Sequence, residues 1–112
     1  MEEPSYVYIL SSKSKRLYVG LTTTLQQRIW QHKNGYFEDS FTARYNIHDL
    51  VYYERFGDIY TAIAREKQLK RWSRIKKIQL IVASNPDWRD LSSDWGKPTK
   101  PFDGKLRPRT SF

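Results

Sequence analysis

Ser5-Tyr6-Val7-Tyr8-Ile9-Leu10 and Leu17-Tyr18-Val19-Gly20-Leu21, separated by the polar segment Ser11 to Arg16, decide how this chain begins to fold. Both runs are rich in aromatic and β-branched side chains, which pack well on a pleated surface, so each reads as a strand. The connection is too short for a crossover helix, and the two strands therefore pair antiparallel as a hairpin. Tyr8 and Tyr18 sit on neighbouring strands and project toward the same region if the register allows.

Outward from the hairpin, Thr24 has the character of a helix N-cap, with Gln27 three residues later completing a capping box. The helix runs to about Asn34, where Gly35 stops it. Residues 36–48 are aromatic-rich and irregular. Asp49 to Phe56 is a third strand, and Asp58 caps a helix that reaches about Ser73. Ile75 to about Ser84 is a further helix, although Leu80 to Val82 taken alone also suits a strand; Asn85-Pro86 ends it. The order β-β-α-β-α-α predicts an α+β domain: a small three-stranded antiparallel sheet flanked by helices. The domain spans residues 1–91. From Ser92 the composition changes. Pro98, Pro101 and Pro108, with Gly96 and Gly104, predict an extended or disordered basic tail over 92–112, for which Trp95 and Phe102 are candidate anchors.

The bulk numbers narrow the function classes. With 112 residues and 38% hydrophobic side chains, the chain suits one domain with one core. It has no cysteine, which excludes disulfides and thiolate metal sites. No apolar run approaches the roughly 20 residues of a membrane span. Met1-Glu2-Glu3-Pro4 is unlike a signal peptide, so the expected location is cytoplasmic, with no membrane partner. The net charge is +8 and the pI about 9.8. The excess is concentrated: Arg65, Lys67, Lys70, Arg71, Arg74, Lys76 and Lys77 face Glu66 alone within 65–77. Clustered Lys and Arg attract a polyanion, most simply a phosphate backbone; Lys67, Lys70, Arg71 and Arg74 are the candidate nucleic-acid contacts. The competing reading is a solvated helix face.

Glu66 is the odd residue of that segment. On a helical projection it falls among Ile59, Ala62, Ile63 and Leu69. A lone carboxylate on an apolar stripe is costly to bury, so it is normally paired, protonated or metal-bound. A structural bridge to Arg28 or Lys70 is one way to satisfy it. In the first helix Arg28 and His32 are four residues apart and share a face.

In that order, Tyr6-Val7-Tyr8, Tyr18-Val19-Gly20, Arg28, His32, Glu66 and Asn85-Pro86-Asp87-Trp88 resemble the GIY-YIG nuclease domain. The likeness is greatest to the small, free-standing bacterial members, related to the N-terminal nuclease domain found in the bacterial excision-repair nuclease, and covers roughly residues 5–91. Tyr6 stands where the family name has glycine, and Val7 and Val19 replace its isoleucines.

The resemblance implies an endonuclease that hydrolyses DNA phosphodiester bonds with one divalent metal, Mg²⁺ or Mn²⁺. It also implies a place in DNA repair or recombination; a further reading is a structural partner in a repair or recombination complex, with the Pro-rich basic tail as the docking segment for a protein partner. Glu66 matches the metal-holding carboxylate; such ions keep several waters, so one carboxylate plus substrate phosphate can suffice. Arg28 matches the phosphate-contacting arginine. Tyr8 and Tyr18 match the tyrosines that position or activate the attacking water, and which of them takes the proton is open, because an ordinary tyrosine pKa near 10 suits a base poorly. His32 matches a position often held by histidine. Gly20 and Asn85 match supporting positions. The alternative is a nucleic-acid-binding module of the same fold with weak or no catalysis, since a domain this small offers little surface for reading a sequence.

Overall fold

A computed structural model describes residues 3–35, 41–93 and 95. The elements are β1 (Ser5–Ser11), β2 (Leu17–Thr22), α1 (Leu25–Lys33), α2 (Phe41–Arg44), β3 (Asp49–Phe56), α3 (Ile59–Arg71) and α4 (Arg74–Ser84). The sheet order is β2-β1-β3, with β1 central and antiparallel to both neighbours. This is the expected three-stranded α+β arrangement. It has one addition: the short helix α2 lies in the stretch read as irregular. Four residues are too few to show a 3.6-residue periodicity, so the sequence carries no signal for it.

The alternation of a pleated strand divides the sheet into two faces. Val7, Ile9, Val19 and Val51 form one, buried against Ala62 and Leu69 of α3 and Ile81 of α4. Tyr8, Leu10 and Leu50 form the other, buried against Leu25 and Ile29 of α1 and against Ile47. The register of β3 shifts between Ile9 and Leu10, so that Ile9 pairs with Tyr52 but Leu10 with Leu50. The extra residue, Val51, thereby faces α3 and α4 together with Tyr52.

Local signals at the helix ends explain most boundaries. Asp58 accepts a hydrogen bond from the Thr61 N–H at 2.8 Å, and Ser73 accepts one from the Lys76 N–H at 3.2 Å. Gly35 adopts φ +68°, the left-handed conformation that ends a helix at little cost to glycine. The capping box expected at Thr24 is not formed. The Thr24 N–H donates to the Thr22 hydroxyl at 3.0 Å, and the Thr24 side chain makes no cap bond to α1. Ile59, expected in the apolar stripe of α3, is 37% exposed, because the stripe begins a turn later at Ala62.

Arg65 locks α3 to β3 through two hydrogen bonds to Glu54, at 2.9 and 2.8 Å, and Glu54 also accepts from the Tyr52 hydroxyl. After α4, Asn85 is buried. Its amide donates to the Val51 carbonyl at 3.1 Å and the Arg89 carbonyl at 2.8 Å, and its oxygen accepts from the Arg89 N–H at 3.0 Å. Asp90 then accepts from the Leu50 N–H, the Ser92 N–H and the Ser92 hydroxyl. This polar turn holds Ser92 buried and brings Trp95 onto the Tyr8 face of the sheet. Phe102 and the rest of the expected tail from residue 96 lie outside the described residues.

Candidate active site

The register of the hairpin builds the centre of the site. Tyr8 of β1 pairs with Gly20 of β2, and Tyr18 lies two residues before Gly20 on the same face. The Tyr8 ring crosses over Gly20 so closely that a β-carbon there would lie 2.4 Å from both Cζ and the hydroxyl oxygen. Only glycine leaves room for this path. It carries the hydroxyl of a central-strand tyrosine across the neighbouring edge strand.

α1 supplies His32 above the two tyrosines. The three rings form a triangle with centroid separations of 6.4 Å (Tyr8–Tyr18), 6.1 Å (Tyr8–His32) and 5.8 Å (Tyr18–His32). His32 Nε2 lies 3.3 Å from the Tyr8 hydroxyl, and its Nδ1 lies 3.0 Å from the Thr42 hydroxyl of α2. A neutral imidazole has one donating and one accepting nitrogen, so it joins the two hydroxyls in a chain whose proton order follows its tautomer. Burial, the Arg28 charge and His48 together pull the His32 pKa down to about 4, so the ring is neutral at pH 7. No sequence signal marks Thr42, which lies in the stretch without pattern, ten residues from its partner.

Tyr8 is 1% exposed, whereas Tyr18 is half-buried. Burial and the neighbouring Tyr18 raise the Tyr8 pKa well above its ordinary value; Arg28 opposes them by charge and hydrogen bonding, and Glu66 adds to the rise. Arg28 and Glu66 are thus both close enough for their charges to act on Tyr8. Tyr8 therefore keeps its proton at neutral pH, and a phenolate is not formed there at rest.

Glu66 comes from α3 with its side chain 18% exposed, and it bridges to Lys70, one helical turn on, at 3.0 Å. Among the described residues no group of three or more His, Asp or Glu side chains is arranged to hold a metal. The donor set is a single hard carboxylate, which suits an ion that keeps most of its waters, such as Mg²⁺ or Mn²⁺, and does not suit a closed structural zinc site. Lys70 is 53% exposed on a flexible stem, so the bridge can open without disturbing the helix.

The basic residues separate into two kinds. Arg65 belongs to the fold through Glu54, whereas Lys67, Lys70, Arg71 and Arg74 are exposed along α3 and the start of α4. Arg74 also meets Lys15 and Arg16 of the β1–β2 turn around a hollow of about 220 Å³, extending the basic surface in a way the sequence order conceals. Asn85 is tied to Val51 and Arg89, so it supports β3 and the turn after α4.

Comparison with known proteins follows the same lines. A family model described as the GIY-YIG catalytic domain matches residues 4–79. A UPF0213 protein of Syntrophus aciditrophicus is 35% identical over 83 residues, covering 74% of this chain and 94% of that one. A UPF0213 protein of Clostridium perfringens is 40% identical over 81 residues, covering 72% and 86%. The solution structure of the UPF0213 protein BH0048 from Bacillus halodurans superimposes with a TM-score of 0.51 at 29% identity, covering 81% of this chain and 97% of that one. No described helix is long and apolar enough to cross a membrane.

Proposed function

This chain belongs to the GIY-YIG family, and on that premise we propose that it is a divalent-metal-dependent DNA endonuclease that cuts phosphodiester bonds with a single metal ion, in DNA repair or recombination. The observation that carries the reading is the convergence of four elements on one spot. β1 and β2 bring Tyr8 and Tyr18, α1 brings His32 with the Arg28 charge, and α3 brings Glu66, a carboxylate whose charge acts on Tyr8.

In this reading Arg28 engages the scissile phosphate, as its planar, always-charged fork suits. Glu66 holds Mg²⁺ or Mn²⁺, which when bound neutralises charge on the phosphate and its leaving oxygen. Tyr18, reaching solvent, meets the attacking water. Tyr8, buried and protonated, holds the Tyr18 ring and exchanges a hydrogen bond with neutral His32, which Thr42 orients. The exposed Lys67, Lys70, Arg71 and Arg74 attract the backbone on either side.

The Glu66–Lys70 bridge favours a second reading, a nucleic-acid-binding module whose carboxylate is already satisfied. Cleavage of labelled single-stranded, duplex and branched DNA with Mg²⁺ or Mn²⁺, comparing native protein with Glu66→Ala, separates the two. The nuclease reading requires cutting that the variant loses. The module reading requires salt-sensitive binding without cutting by either protein.

A further inference from the structure

The face of the sheet that carries Tyr8 does not end at the tyrosine cluster. Tyr53 of β3 is the direct cross-strand partner of Tyr8, and Arg55 is the partner of Tyr6. All four residues share one face by the period-2 rule. Beyond Tyr8, this face opens into a hollow of about 580 Å³, in the range of small-ligand sites. Tyr6, Tyr53 and Trp95 supply aromatic walls, with Tyr6–Tyr53 and Tyr53–Trp95 centroids each 6.3 Å apart in edge-on contact. Arg55, Gln26 and Gln27 supply charge and hydrogen-bonding groups around them.

The walls are held in place. Asp90 ties the Ser92 turn to the Leu50 N–H at 3.1 Å, and the Trp95 N–H donates to the Ser92 carbonyl at 2.9 Å. Tyr6 and Trp95 pack partly on the core, whereas Tyr53 is 42% exposed and lines open space. The aromatic surface also continues. Trp95, Gln26 and Gln27 border a second hollow of about 430 Å³, whose far wall is Trp30, 52% exposed. Gln26 and Gln27 of α1 border both hollows, so the two share one wall.

We infer that this aromatic hollow is a stacking site for an unpaired nucleobase of the bound strand, on the same sheet face as the tyrosine cluster; the inference rests on the nuclease reading above. A base stacks on an aromatic face whatever its identity, and glutamine amides can donate to or accept from its edge. A base inside a duplex reaches such a recess only after unstacking and unpairing, which costs free energy, so a single strand is favoured. A peptide or lipid occupant is less suited, because the net charge of +8 and Arg55 in the wall both favour a polyanion.

The test is equilibrium binding of the full chain in EDTA, where nothing is cut. The probes are a short labelled oligothymidylate and a blunt duplex of the same length, at one salt concentration. Tyr53→Ala and Trp95→Ala are each expected to weaken single-strand binding by at least about fivefold, the low end of one base–ring stack, and to leave duplex binding unchanged. Tyr53→Phe and Trp95→Phe keep the ring and are expected to bind like native protein, which separates stacking from a folding defect. Equal loss on strand and duplex, no loss on either, or a gain in affinity would overturn the stacking site. The outcome is independent of the cleavage comparison. Native protein that cuts DNA without ring-dependent binding loses only this inference, whereas ring-dependent binding without any cutting loses the nuclease reading.

Discussion

The Tyr8 ring lies directly over Gly20, its hydroxyl oxygen 2.4 Å from where a β-carbon would be. The pair explains why a glycine belongs in the middle of an edge strand, where it otherwise weakens pairing. The glycine is the gap through which Tyr8 reaches His32.

Gly20→Ala should therefore force the ring aside. Overpacking of this kind costs about 1–3 kcal/mol, visible as a lower urea midpoint. In a Tyr8→Ala background the same substitution should cost much less, because the clash partner is gone. Equal costs in the two backgrounds would show that Gly20 does not make room for Tyr8.

His32 makes stability depend on pH. Its folded pKa of about 4 lies below the ordinary 6.5, so between those values the unfolded chain binds the extra proton. The contribution is full above about pH 6.5 and is lost as pH falls through 4. It amounts to roughly 3 kcal/mol by the usual conversion of 1.36 kcal/mol per pKa unit. Denaturant melts of native protein and His32→Asn between about pH 7 and 4 should converge as the pH falls. A constant gap between them would contradict a buried neutral histidine.

The exposed and the fold-bound cations should behave differently. Neutralising Lys70, Arg71 and Arg74 together should weaken DNA binding and flatten its salt dependence, by up to about 0.9 in the log–log slope for each duplex phosphate no longer neutralised. It should leave the melting temperature nearly unchanged. Arg65→Ala should do the reverse, because it strips Glu54 of its bidentate partner and loosens α3 from β3. A salt-insensitive affinity, or a stable Arg65→Ala protein, would count against this division.

Much of the fold is legible in the sequence because its signals are local. The alternating tyrosines and aliphatics of β1, the Asp58 cap, the Gly35 stop and the Asn85-Pro86 ending all act within a few residues. The missing pieces depend on three-dimensional neighbours. Thr24 has the character of a cap, but Thr22, two residues before it, takes its N–H. Thr42 gains its meaning only when α2 folds onto His32. Tyr53 meets Tyr8 through a β3 register that contains a bulge, and the partner of Arg65 is Glu54, a strand away. Among the candidate site residues, Tyr8, Tyr18 and His32 are brought into one cluster, and Arg28 and Glu66 act on it by charge. Asn85, drawn from a short motif, turns out to knit α4 to β3. Its family position is legible, but its partners are not.

The most direct measurement is metal-dependent cleavage of DNA by native protein and by Glu66→Ala prepared identically, with binding measured in parallel. The account predicts cutting with Mg²⁺ or Mn²⁺ that disappears in the variant, while DNA affinity holds or rises as a negative charge near phosphate is removed. Cleavage by Glu66→Ala at the native rate would contradict a single metal held by that carboxylate.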